Sequence, residues 1–240
     1  KQTMLVDGVE RSIFDIMQDP VLHVLVSDEG TLKVIRHPNI PLEPKEDTSE
    51  PPWFDRNLSL GERCVLFSQN ELANGICEIP TGSNTSPRIK EYFEPAYRYK
   101  TGQMLHLTQG NWCAAAANFS SRICSFPGEK VNHPYVVSGI EMEEAAKHSG
   151  CWRDVDLVKF GQWFPEVGDI VIIDRNDPNK SGDDWQRHVC RLVSFDKATG
   201  DVLTIGGNEG GGYKETKRNI HDNAPTGINR PILGFISYVQ

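Results

Sequence analysis

The sequence has no apolar stretch approaching the roughly 18 residues that a membrane-spanning helix needs, so no membrane insertion is expected. Its first residues, Lys1-Gln-Thr-Met-Leu-Val-Asp-Gly8, lack the continuous apolar run of a secretory signal. Clustered lysine and arginine are missing as well. With a formal charge of −8, this argues against a protein that coats nucleic acid or an anionic membrane. The six cysteines (Cys64, Cys77, Cys113, Cys124, Cys151 and Cys190) show no CxxC spacing and no His/Cys ligand ladder, which argues against a structural zinc site. The run Gly206-Gly-Asn-Glu-Gly-Gly-Gly212 lacks the Gly-Lys-Ser/Thr ending of a phosphate-binding loop and reads as a tight turn. No internal repeat or low-complexity tract points to a solenoid.

What is present describes a globular chain: 38% hydrophobic and 24% charged residues, enough to bury a sizeable core. Val9–Met17 reads as a short helix, and Val21–Val26 with Thr31–Arg36 as a β-hairpin across Asp28-Glu-Gly30. Residues 38–52 then carry five prolines among acidic and basic residues, a run incompatible with regular helix or central strand. This predicts a small N-terminal appendage and linker over residues 1–52, packed on a main domain over residues 53–240.

The main domain opens with the capping-box pattern Ser59-Leu-Gly-Glu62, followed by helically spaced Leu60, Cys64, Val65, Leu72 and Ile76. Ser86-Pro87 announces a second helix and Ser138-Gly-Ile-Glu141 another, which ends near Gly150. After residue 165 the pattern changes to strands: Gly168–Asp174, His188–Phe195, Val202–Gly206 and Ile232–Val239, with Asp196–Asp201 as a turn. Helices followed by an antiparallel meander define an α+β fold.

Between these halves lies Gln109-Gly-Asn-Trp-Cys113-Ala-Ala-Ala-Ala-Asn118-Phe119. A cysteine after a turn signal and before four helix-forming alanines is expected at a helix N-terminus, with Asn111 as N-cap. The positive end of the helix favours a thiolate there. The competing reading is a small buried hydrophobe. His23, His37, His106, His133, His148 and His221 show no ligand spacing and read as surface or hydrogen-bonded histidines. Trp112, Trp152, Trp163 and Trp185 read as core or groove-lining residues.

Several motifs occur in a fixed order: Trp-Cys-Ala-Ala at 112–115, Pro-Glu-Val-Gly-Asp-Ile-Val at 165–171, His188-Val189 beginning a strand, Gly-Gly-Asn-Glu at 206–209 ending the next, and Leu-Gly-Phe at 233–235. This set resembles the papain-like bacterial cell-wall hydrolases of the NlpC-type and CHAP group. The upstream segment Glu78-Ile-Pro-Thr-Gly-Ser-Asn-Thr-Ser-Pro-Arg-Ile89 resembles what precedes the nucleophile in one branch of it. The likeness spans residues 59–240, and Cys190 and Ala116 depart from the family pattern.

The resemblance implies a papain-like fold in which Cys113 is the nucleophile, His188 the general base and Asn208 the residue that orients the imidazole, with Glu209 as the alternative for that third role. It also implies an oxyanion site from the Cys113 N–H with Gln109 or Asn111. Trp112, next to the thiol, is the tryptophan expected to contact substrate by stacking on a sugar ring. The activity implied is that of a cysteine amidase or endopeptidase cleaving an amide bond of peptidoglycan, without metal or organic cofactor. Partners would be a peptide or glycopeptide of the cell wall and, for an antibacterial effector delivered to a rival's periplasm, an immunity protein. A phage or autolytic lysin is the other secreted context. The contrasting class is a non-catalytic cell-wall-binding module on the same fold. Strand alternation sets Asn208 and Glu209 on opposite faces, and a bulge at Gly206-Gly207 would exchange them.

Overall fold

The structure is a computed structural model that describes residues 51–94, 96–107, 109–129, 131, 136–175, 186–224, 227 and 229–237, together with four strands before residue 37. The chain divides into two compact units, Lys1–Ser49 and Glu50–Gln240.

In the first unit, β1 (Thr3–Val6) pairs antiparallel with β2 (Val9–Ser12), and β3 (Leu22–Val26) with β4 (Leu32–Arg36). The second hairpin is the one expected. The first replaces the start of the expected helix, because Asp7-Gly8 between Met4-Leu-Val6 and Val9 is a two-residue hairpin signal that outweighs the helical spacing. The remainder of that helix and the proline-rich stretch to residue 50 lie outside the described residues.

The second unit is α+β. A 3₁₀ turn (Pro52–Phe54) leads to α1 (Leu60–Ala73), whose capping box is complete: Ser59 Oγ accepts from the Glu62 N–H and the Glu62 carboxylate from the Ser59 N–H. Next come α2 (Pro87–Tyr92), capped by Ser86, and a small hairpin of β5 (Ala96–Tyr97) and β6 (Met104–Leu105). The cysteine helix α3 (Cys113–Cys124) is followed by α4 (Gly139–Ser149), which Ser138 caps and Gly150 ends in the left-handed region at φ 77°.

One antiparallel sheet backs these helices. Its strands are β7 (Trp152–Asp154), β8 (Ile170–Asp174), β9 (Arg187–Phe195), β10 (Asp201–Glu209), β11 (Gly212–Asn219) and β12 (Ile232–Ile236), in the order β11-β10-β9-β8-β12-β7. Between β7 and β8 sits the short helix α5 (Val155–Lys159). Alternate residues of β8 and β9 feed two apolar layers. Ile170, Ile172 and Val189 pack with α3 and α4, while Val171, Ile173 and Leu192 pack with Val155 and Val158 of α5. A third layer joins Phe67, Tyr92, Phe93, Trp112 and Phe119 to Ile205 and Tyr213.

Arg191 fixes the height of α3 against the sheet. It is fully buried on β9, donating to Ala117 O (2.6 Å), Ser120 Oγ (3.1 Å) and Gly168 O (2.9 Å), with a further bond to Ser121 Oγ. Removing such a buried cation would strand several acceptors, so α3 has little freedom to slide along β9.

Candidate active site

Cys113 is the first residue of α3, as its position before four alanines predicts. The N-cap is Trp112 rather than Asn111, which is exposed one residue further out. Burial decides this. The Trp112 indole has no exposed surface, stacks on Tyr92 at 5.8 Å between ring centroids, and donates from Nε1 to Glu78 Oε1 at 3.0 Å. Trp112 offers no capping side chain, so the first-turn N–H groups and the positive helix end are directed at the thiol and its surroundings.

Beside the thiol stands His188, near the start of β9 and 2% exposed. Its Nε2 lies 3.0 Å from Glu209 Oε1, while Nδ1 is buried without a hydrogen-bond partner of its own. That leaves Nδ1 as the nitrogen for the Cys113 proton. Burial alone would push the thiol up, but interaction with His188, the charge of Arg175 and the Val189 N–H bring it down to about 7. Burial likewise opposes the imidazolium, yet the neighbouring Cys113 thiolate and the bond to Glu209 raise His188 above its ordinary 6.5. Glu209 resists burial in turn: His188, the Thr216 hydroxyl at 2.5 Å and Arg218 at 3.3 Å hold its carboxyl at about 2. Thiol, imidazole and carboxylate thus favour the charged forms of one another.

The backbone explains why Glu209, and not the expected Asn208, meets the imidazole. Thr204 pairs with Leu192 and Ile205 with Arg191, a register that would bring Asn208 opposite His188 if it continued. Between Gly206 and Glu209 the register of β10 slips, and Asn208 takes a left-handed φ of 62°. One extra residue reverses the facing, which puts Glu209 in the place that regular alternation reserves for Asn208. Gly210 and Gly211, at φ 70° and 86°, then turn the chain tightly into β11, as both positions of a two-residue hairpin loop require.

Asn208 faces the other way. In the amide orientation that satisfies both its ends, Nδ2 donates to Glu78 Oε1 (3.3 Å) and Oδ1 accepts from the Trp112 N–H (3.2 Å). It ties β10 to the start of α3 rather than to the imidazole. Trp112, expected to touch substrate, is sealed in the core by Tyr92, Tyr213 and Gly207, and its ring is closed to a ligand. Gln109 and Asn111 are both exposed on the approach to Cys113.

Trp152 is half-buried against the α4 layer, and Trp163 packs on Phe235; Trp185 lies outside the described residues. His106, His148 and His221 are exposed, whereas His37, His133 and the side chain of His23 fall outside the described residues.

Four participants escaped sequence reading. Thr216 and Arg218 alternate on β11, a strand whose Lys214, Glu215 and Lys217 hide any apolar period. Glu78 was legible only as part of a longer segment, although a buried carboxylate bonded to Trp112 and to the Gly82 N–H (2.8 Å) belongs to the site's framework. Arg175 follows β8 and donates to the Asn208 carbonyl at 3.2 Å.

His188, Cys190 and Glu209 bring one potential metal donor each within 4.8 Å of one another. Those donors are already committed. Nε2 and Oε1 bond each other, Oε2 holds Thr216 and Arg218, and burial pushes the Cys190 thiol up to about 12, so a cation would compete with Arg218 for the carboxylate. Among the described residues no disulfide joins any two of the six cysteines. No helix is long and apolar enough to cross a membrane among the described residues. Comparison with known protein families, curated proteins and solved structures gives no match to any of them.

Proposed function

We propose that residues 50–240 form a papain-like cysteine hydrolase that cleaves an amide bond of peptidoglycan. The observation that carries the reading is the buried line from the Cys113 thiol through the His188 imidazole to the Glu209 carboxylate. The choice of cell wall over other amides rests on the ordered motifs at 112–115, 165–171, 188–189 and 206–209.

In this mechanism the Cys113 thiolate attacks the scissile carbonyl carbon, and the developing oxyanion meets the Cys113 N–H at the uncapped start of α3. Protonated His188 delivers its Nδ1 proton to the leaving amine, leaving a thioester on Cys113. Neutral His188 then takes a proton from water, whose oxygen attacks the thioester to release the carboxylate product and the thiolate. Glu209 keeps the proton on Nε2 throughout and stabilises the imidazolium whenever Nδ1 is protonated.

The test is incubation of purified peptidoglycan with the protein, followed by mass spectrometry of the soluble fragments. Wild type should yield one new amine and one new carboxyl per cut at a single bond type, and Cys113→Ala should yield none. Binding without cleavage by wild type would replace the hydrolase by a cell-wall-binding module.

A further inference from the structure

The Arg175 N–H extends the β8 ladder one step beyond the strand, donating to the Gln186 carbonyl at 3.2 Å. Ile173 pairs with His188, and residues two apart in a strand share a face, so Arg175 leaves the sheet on the face of the imidazole. Its side chain then crosses β9 to reach the Asn208 carbonyl on β10 at 3.2 Å. A cation is therefore laid across the strand that carries the general base.

Among the described residues no carboxylate pairs with this cation. Nearby acids are taken, Asp174 and Glu143 by Arg187 and Glu209 by His188 and Arg218. The side chain is partly exposed, and among the described residues its one side-chain bond, to a carbonyl, leaves most of its N–H donors open. Its charge favours the Cys113 thiolate but opposes the His188 imidazolium. A bound anion would relieve that opposition.

We propose that Arg175 is a specificity-determining residue that binds a carboxylate of the substrate beside the scissile amide. The proposal rests on the hydrolase reading and deepens it. A guanidinium offers a planar fork that fits a carboxylate with two parallel bonds, a geometry an ammonium lacks. Peptidoglycan stems supply such groups next to their amides: D-glutamate linked through its side chain keeps a free α-carboxylate, and diaminopimelate carries another.

The experiment compares three stem tetrapeptides, L-Ala-γ-D-Glu-diaminopimelate-D-Ala with free carboxylates, amidated at glutamate, or amidated at diaminopimelate. Arg175→Gln should lower kcat/KM by about tenfold to a hundredfold, mainly through KM, on the peptide with free carboxylates. Amidating the carboxylate that Arg175 reads should erase the difference between wild type and variant, which also identifies the source. Arg175→Lys should recover part of the affinity. Equal losses on all three peptides would mean that the guanidinium acts on the thiolate or the oxyanion, and would overturn the proposal. Calorimetric binding of the same peptides to Cys113→Ala and to Cys113→Ala/Arg175→Gln separates this from the hydrolase reading. Carboxylate-dependent binding lost with Arg175 supports the subsite even if wild type cleaves nothing, and no carboxylate-dependent difference in either assay overturns it.

Discussion

Three donors hold the Glu209 carboxylate ionised, His188, Thr216 and Arg218, and only the first is part of the proposed chemistry. The other two keep the carboxylate aimed, so its loss should be felt as lost orientation and charge at the imidazole. Glu209→Gln is expected to lower kcat by about a hundredfold or more, and Asn208→Ala by about tenfold at most, measured at saturating substrate. The reverse order would mean that the imidazole's working partner is not Glu209. Protonation gives an independent check. The Cys113 thiol sits at about 7 instead of its ordinary 9.0, because His188, Arg175 and the Val189 N–H outweigh burial. Iodoacetamide alkylation of Cys113 should therefore rise with pH through a midpoint near that value. In His188→Ala burial remains while the largest lowering influence is gone, so the midpoint should move upward; a midpoint that stays put would show that another group activates the thiol.

At the scale of elements, the start of α3 and the slipped stretch of β10 act as one unit joined through Trp112. A Cβ added at Gly207 would lie 2.1 Å from Trp112 Cζ3, and the ring cannot retreat because Tyr92, Tyr213 and the Glu78 carboxylate hold it. Gly207→Ala should therefore cost about 1–3 kcal/mol, seen as a melting temperature lower by roughly 2–12 °C. It should also lower kcat, since the same ring sets where Cys113 begins its helix. A variant as stable and active as wild type would show that the two elements move independently. This coupling also marks the limit of what the sequence could show. Ser59/Glu62, Ser86-Pro87 and Ser138/Glu141 announced three helix starts because capping is decided within one turn of chain. The apolar runs of β8, β9 and β12 were legible for the same local reason. Cys113 and His188 came with their motifs. The slip at Asn208 was legible only as an option, because a packed indole from a distant segment decides it, and β11 hid behind its exposed charges.

For the whole molecule, the question is which part of the chain carries a self-sufficient core. Both faces of the six-stranded sheet are covered by residues between Trp53 and Ile236: α3 and α4 with Val136 and Trp152 on one side, α5 with Trp163 and Phe164 on the other. Cys113, His188, Glu209, Glu78 and Arg175 all belong to the unit Glu50–Gln240. A unit of this length buries about 70% of the surface its unfolded chain exposes, which suffices for independent stability, whereas the hairpins before residue 50 belong to a segment below the size at which cores become robust. A protein comprising residues 50–240 alone should therefore unfold in one cooperative transition, with a melting temperature within about 4 °C of the full chain, the shift that roughly 1–2 kcal/mol produces at this size. Its alkylation profile at Cys113 should be unchanged, since each group that sets the thiol's charge is retained. Calorimetry and the alkylation rate on the two proteins decide the matter. A fragment that melts without cooperativity would place part of the core before residue 50, and one that melts normally but loses the reactivity of Cys113 would give the first unit a part in the site itself.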